Sequence, residues 1–174
     1  MKEGDALEGL WQGARDSLRR VKIIALEDCD VGDVDRLLGQ LARIGTIQLL
    51  DASMVAGEDH VRFACFEALR AFDHQENVAS TVSMEILLRA ACTRQIDEAI
   101  GRLGIRPGCR EVVLVAFEVD EKGIEEAVSL VGGKPSKRPL ELDHDKRKRM
   151  AEVFGLEEPV ERSIIEKIAL LNAD

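Results

Sequence analysis

Short apolar runs alternate along this chain with segments whose apolar residues return every third or fourth position. Val21 to Leu26, VKIIAL, is rich in β-branched residues and is followed by the turn-forming stretch 28–33, which predicts a strand and then a loop. Val34, Leu37, Leu38 and Leu41 recur at helical spacing and Gly45 stands where a C-terminal cap belongs, so residues 33–44 read as an amphipathic helix. Thr46 to Leu50 reads as a second strand. Between Gly57 and Asp73 a long helix carries Val61, Cys65, Ala68, Leu69 and Phe72 on one stripe, widened by Phe63 and Phe66, and is expected to be central. REVVLVAFEV, Arg110 to Val119, is the clearest strand, and Ile124, Ala127, Val128 and Val131 mark a helix stopped by Gly132 and Gly133. Near the C-terminus Pro159 suits a first helical turn, and Val160, Ile164, Ile168 and Leu171 form a stripe with Ile165 beside it.

Two segments carry less orderly signals. Val82 to Ala91 contains good helix formers, and Glu85 and Arg89 would be an i,i+4 ion pair, yet the run is short and flanked by breaks, so helix and strand both remain open. Thr93 can cap a following helix that presents Ile96, Ala99, Ile100 and Leu103 and ends at Gly104. The alternating order, with no internal repeat and no long linker, predicts one α/β domain.

Composition narrows the class. The 174 residues are 45% hydrophobic and 33% charged, with no apolar run near the ~18 residues a bilayer span needs, so a folded cytoplasmic protein with no membrane role is expected. Its first residues lack the charged start and apolar block of a secretory signal. The four cysteines and three histidines are isolated, which predicts reduced thiols and neither metal nor cofactor. Residues 134–150 hold seven Lys or Arg against three Asp or Glu, +4 within a chain of net charge −9. An acidic body of this kind repels long phosphate backbones, so any nucleic-acid role has to be local.

Most enzymatic motifs are absent: there is no GxxxxGK[ST], GxGxxG, GxSxG or HExxH. Cys92 at the start of a helix suggests a thiol phosphatase, but Glu98 stands where that loop needs its arginine and no glycine gives the backbone room to wrap an anion. What remains is Thr93, Arg94 and Gln95, whose first-turn amides, guanidinium and carboxamide either hold a phosphate or base edge or simply cap a helix. Asn77 and Thr81 precede the same region.

EALRAFDHQENVASTVSMEILLRAACTRQIDEAIGRLGI, together with REVVLVAFEV and EPVERSIIEKIALLNA, resembles the small, non-catalytic subunit family of the KEOPS complex over about residues 21–172. Residues 1–20 then form an N-terminal extension to a single domain at 21–174. One departure is visible: Cys92 stands where the family pattern often has Gly before Thr-Arg-Gln. The resemblance implies an α/β fold with a small mixed sheet, and it turns Val82–Ala91 toward a strand. It further implies a subunit without an active site that serves synthesis of N6-threonylcarbamoyladenosine in tRNA. Its partners would be the kinase-like ATPase subunit, tRNA through the single-stranded 3′ CCA end, and, indirectly, the threonylcarbamoyl-transferase subunit. On that reading Asn77, Thr81, Thr93, Arg94 and Gln95 form or flank the 3′-end site. Lys134, Lys137, Arg138, Lys146 and Arg147 would meet the tRNA backbone, and Ile164, Ile165, Ile168 and Leu171 the kinase subunit.

Overall fold

The computed structural model describes residues 14–172. Four strands, β1 (Val21–Glu27), β2 (Thr46–Asp51), β3 (Val112–Phe117) and β4 (Lys134–Pro135), form one sheet in the order β2-β3-β1-β4. Seven helices accompany them: α1 (Val34–Ile44), α2 (Glu58–Asp73), α3 (Val82–Ala90), α4 (Ile96–Leu103), α5 (Glu121–Val131), α6 (His144–Phe154) and α7 (Val160–Leu170). Residues 14–18 add a helical turn ahead of β1, and Ala14 and Leu18 are buried in the core. The rest of the expected extension lies outside the described residues.

The expected α/β class in a single domain is what the structure has, with one correction: every pairing in the sheet is antiparallel rather than mixed. In β1–α1–β2 and β3–α5–β4 the two strands of each unit run parallel, but an antiparallel neighbour lies between them, so no parallel pair forms. This is the split βαβ arrangement. Helices α2, α3 and α4 are inserted between β2 and β3, and α6 and α7 follow β4.

β3 shows why the sheet sits between two layers. Val113 and Val115 point to one face and Val112, Leu114 and Ala116 to the other, and all five are buried. The second face is covered by Leu37 and Leu41 of α1 and Ala127 and Val131 of α5. The first carries a larger cluster from α2, α3, α4, α6 and α7, and it is this layer that builds the candidate site. Aspartates start three of the helices. Asp33 accepts from the Arg36 amide at 3.0 Å, Asp120 from Gly123 at 2.8 Å and Asp143 from Lys146 at 2.8 Å.

Val82–Ala90 is a helix, which overturns the strand assignment. Thr81 accepts from the Met84 amide at its N-terminus, and Glu85 and Arg89 are bonded one turn apart, as only a helix allows. Its exit is a complete Schellman turn in which Cys92 donates to Arg89 O and Thr93 to Leu88 O, both at 3.1 Å. Cys92 has φ +54°, the left-handed conformation that glycine adopts without strain.

His60 of α2 ties that helix to the loop before it and to the end of α3. It is buried, its Nδ1 accepts from the Ala56 amide at 2.9 Å, and its Nε2 donates to Ala90 O at 2.8 Å. Burial lowers its pKa from 6.5 to about 4, so the neutral ring is the folded form. Above pH 6.5 this contribution is complete; as pH falls from 6.5 toward 4 the unfolded chain takes up a proton that the folded chain refuses. We expect about 3 kcal/mol of unfolding free energy to be lost across that window. Urea titrations at stepped pH check this, and His60→Gln should flatten the dependence.

Candidate functional site

The NVAST and TRQ segments lie at opposite ends of one short helix. Asn77 and Thr81 stand at the entry of α3, where Asn77 Nδ2 donates to Ala79 O at 2.9 Å. Thr93, Arg94 and Gln95 follow its exit. The nine residues of α3 span about 13 Å, so the five residues form two stations along one edge and not a single pocket.

Between the stations runs a buried polar chain. Glu85 is fully buried, and its Oε2 accepts from the amides of Val78 and Ala79 at 2.9 and 2.7 Å. Its Oε1 accepts from Arg89 Nε and Nη2 at 3.0 and 2.8 Å. Arg89, itself buried, donates from Nη1 to Asn172 Oδ1, and Asn172 Nδ2 donates to buried Glu67 at 3.1 Å. Glu67 also holds Arg70 at 3.1 Å. One chain of bonds therefore joins the NVAST loop, α3, the end of α7 and the middle of α2. The i,i+4 pair was visible in the sequence; Asn172 and Glu67 gave no local signal, because their partners are 83 and 105 residues away.

Thr93 turns inward. Its hydroxyl donates to Glu98 at 2.6 Å and accepts from the Gln95 amide at 3.2 Å, while Gln95 itself occupies the N-cap of α4 without a side-chain bond to the helix. Arg94 is exposed, and among the described residues its side chain donates one long bond, 3.4 Å to Leu171 O. Gln95 is exposed beside it. Two apolar neighbours expected on the buried stripe of α4 face solvent instead: Ile96 is 43% and Ile100 45% exposed, whereas Ala99 and Leu103 are buried. The stripe was legible in the residue spacing but its tilt was not; the Glu98–Arg102 ion pair and the bond from Arg102 to Ala91 O at 2.9 Å accompany that tilt.

The other two groups of site residues are rearranged. Within the basic segment Lys134 pairs with Asp28 at 3.0 Å, and Arg138 with Glu27 at 2.7 Å and Glu111 at 2.6 Å. Arg147 is bidentate to Glu161 at 2.9 and 2.6 Å. Lys146 is buried, donating to Pro139 O at 2.8 Å, and burial brings its pKa down to about 8. These four charges bind the segment to its own body, and of the five only Lys137 is exposed and without an ion pair among the described residues. In α7, Ile164 and Ile168 are fully buried in the core and cannot meet a partner while the helix stays docked. Ile165 and Leu171 are half-buried, and Leu170, which the sequence reading passed over, is 63% exposed.

An antiparallel sheet with helices on both faces, and Arg94 and Gln95 exposed at the start of α4, make this an α/β protein with a polar surface station. The family model described as "Kinase binding protein CGI-121" matches residues 29–172, and the chain belongs to that family. A Methanocaldococcus jannaschii protein named "Regulatory protein Cgi121" is 34% identical over 140 residues, 78% of this chain and 90% of the relative. A Pyrococcus abyssi protein named "KEOPS complex subunit Cgi121" is 35% identical over 94 residues, 52% of this chain and 53% of the relative. No helix among the described residues is long and apolar enough to cross a membrane.

Removing one partner of the buried pair leaves the other charged and unpaired. Arg89→Leu should therefore lower the unfolding free energy by about 3–5 kcal/mol in urea titrations. Glu85→Met combined with Arg89→Leu should not restore it, because the Val78 and Ala79 amides would still lack their acceptor.

Proposed function

We propose that this chain is a KEOPS accessory subunit that binds the kinase-like ATPase subunit and delivers tRNA by its single-stranded 3′ CCA end for N6-threonylcarbamoyladenosine synthesis in the transferase subunit. The family description and the name of the Pyrococcus relative support the kinase and KEOPS part. The RNA part is supported by one observation: Arg94 and Gln95 stand exposed at the start of α4 with Ile96 and Ile100 exposed along the same helix.

Such a surface reads unstacked bases without aromatic residues. A guanidinium offers a planar face for stacking and a fork for phosphate, a carboxamide pairs with base edges, and two isoleucines supply an apolar floor. The chain needs this substitute, since only 3% of its residues are aromatic and it has no tyrosine. Thr93 and Thr81 hold the two turns, Asn77 shapes the loop at the far end of α3, and the acidic body restricts binding to this local patch. In this reading the kinase subunit meets the exposed side of α7 through Leu170, Ile165 and Leu171, while Ile164 and Ile168 anchor the helix.

Arg94→Ala should weaken binding of a CCA-ended tRNA by about 1–3 kcal/mol in fluorescence anisotropy, the usual worth of a stacking or bidentate contact, with no change in thermal stability. Equal affinity for tRNA with and without its CCA end would leave a kinase regulator that does not touch RNA. Leu170→Glu should reduce co-purification of the kinase subunit at least tenfold while the circular-dichroism melt stays that of the parent; retention of full binding removes α7 from the interface.

A further inference from the structure

At the far end of α4 the chain makes the tight turn Arg106-Pro107-Gly108-Cys109. The Cys109 amide donates to Arg106 O at 3.1 Å, proline takes the first central position and Gly108 the second with φ +89°, the pattern of a type II turn. Gly108 N also donates to Val31 O at 2.7 Å, so the turn is held from outside as well. Arg106 and Arg110 stand at its two sides, both exposed. Across from them, Arg149 of α6 donates to Ser53 O at 3.0 Å. The three guanidinium groups line an open cleft of about 520 Å³ with Asp51 and Glu111.

The charge balance of this cleft is one-sided. Glu111 is paired to Arg138 at 2.6 Å, while Asp51, whose Oδ1 accepts from the amide and hydroxyl of Ser53 at 3.0 and 2.7 Å, keeps its charge, so three guanidinium groups face one uncompensated carboxylate. Among the described residues, none of Arg106, Arg110 and Arg149 has an ion pair. An acidic protein thus keeps three unpaired arginines at one concavity, two of them on a rigid turn. Arginine forks match phosphate oxygens, and a shallow open cleft suits a run of phosphodiesters better than an enclosed small molecule. One helix of eight residues, about 12 Å long, separates this cleft from Arg94 and Gln95.

The geometry points to the Arg106–Arg110–Arg149 cleft as a second RNA contact, one that holds backbone phosphates of the duplex stem adjoining a single-stranded 3′ end bound at Arg94. This inference rests on the RNA reading above. The cleft contributes affinity without sequence information and sets the direction in which the stem leaves the protein.

The probes are an RNA hairpin carrying a 3′ single-stranded CCA tail and a short CCA-ended oligonucleotide without a stem. With Arg106→Ala, Arg110→Ala and Arg149→Ala combined, hairpin affinity should fall at least tenfold at low salt, and the slope of log K against log salt should shrink by about 2–3, as loss of three phosphate contacts requires. Affinity for the short oligonucleotide should stay within twofold, and the triple Arg→Lys variant should keep most of the slope. Arg94→Ala should weaken both probes. An unchanged slope in the triple alanine variant, with its melting curve intact, overturns the cleft assignment and leaves the 3′-end reading standing. Loss of hairpin binding in that variant with no effect of Arg94→Ala does the reverse. Polyglutamate displacing the hairpin as well as unlabelled RNA does would show a site for acidic chains and also overturn it, and failure of both probes to bind the parent protein removes both readings.

Discussion

The buried Glu85–Arg89 pair is the constraint around which the helical layer is arranged. A carboxylate and a guanidinium out of water lose several kcal/mol of hydration each, and the pair persists because nearly every polar atom on it is used. Glu85 takes two loop amides and two arginine nitrogens, while Arg89 reaches the last turn of the chain. Among the described residues no buried side-chain nitrogen or oxygen lacks a partner. The pair is thus a framework element of the segment that also carries Asn77, Thr81, Thr93, Arg94 and Gln95. It explains why that segment is so polar for its depth.

Much of the fold was legible because its signals are local. The helix opening at residue 33 begins on Asp33 as its N-cap, and β3 is buried on both faces as its unbroken apolar run requires. The assignment that failed, a strand at Val82–Ala91, put aside a local signal that was right. Glu85 and Arg89 four residues apart, with Thr81 ahead of them, favour a helix by the same physics that holds them in the structure. In α7 the sequence showed a wide apolar stripe but not which side faces the sheet; Ile164 and Ile168 went to the core because α2 and α6 close over them.

Of the candidate site, Arg94 and Gln95 were readable, since a polar first turn after a break is a local feature. Their isoleucine neighbours and the arginine cleft were not. Exposure of Ile96 and Ile100 depends on the tilt of α4, and Arg149 comes from a helix distant in sequence from the turn of Arg106 and Arg110. The basic segment misled for a related reason. A run of positive charge looks like a surface for polyanions until the acids that meet it are known, and here Glu27 and Asp28, Glu111, and Glu161 come from three other parts of the chain.

The last turn of α7 is held from two sides, by Arg89 at Asn172 and by Arg94 at Leu171 O. Whatever fixes the tail of the chain also restrains the Arg94 guanidinium, which on the proposed reading is the group that meets RNA. Binding free energies are reciprocal, so a protein that grips this tail in one posture alters RNA affinity by the same factor by which RNA alters its own. Under the proposed RNA reading, two ligands that never touch would then behave cooperatively, with the Leu171 carbonyl as the link between them.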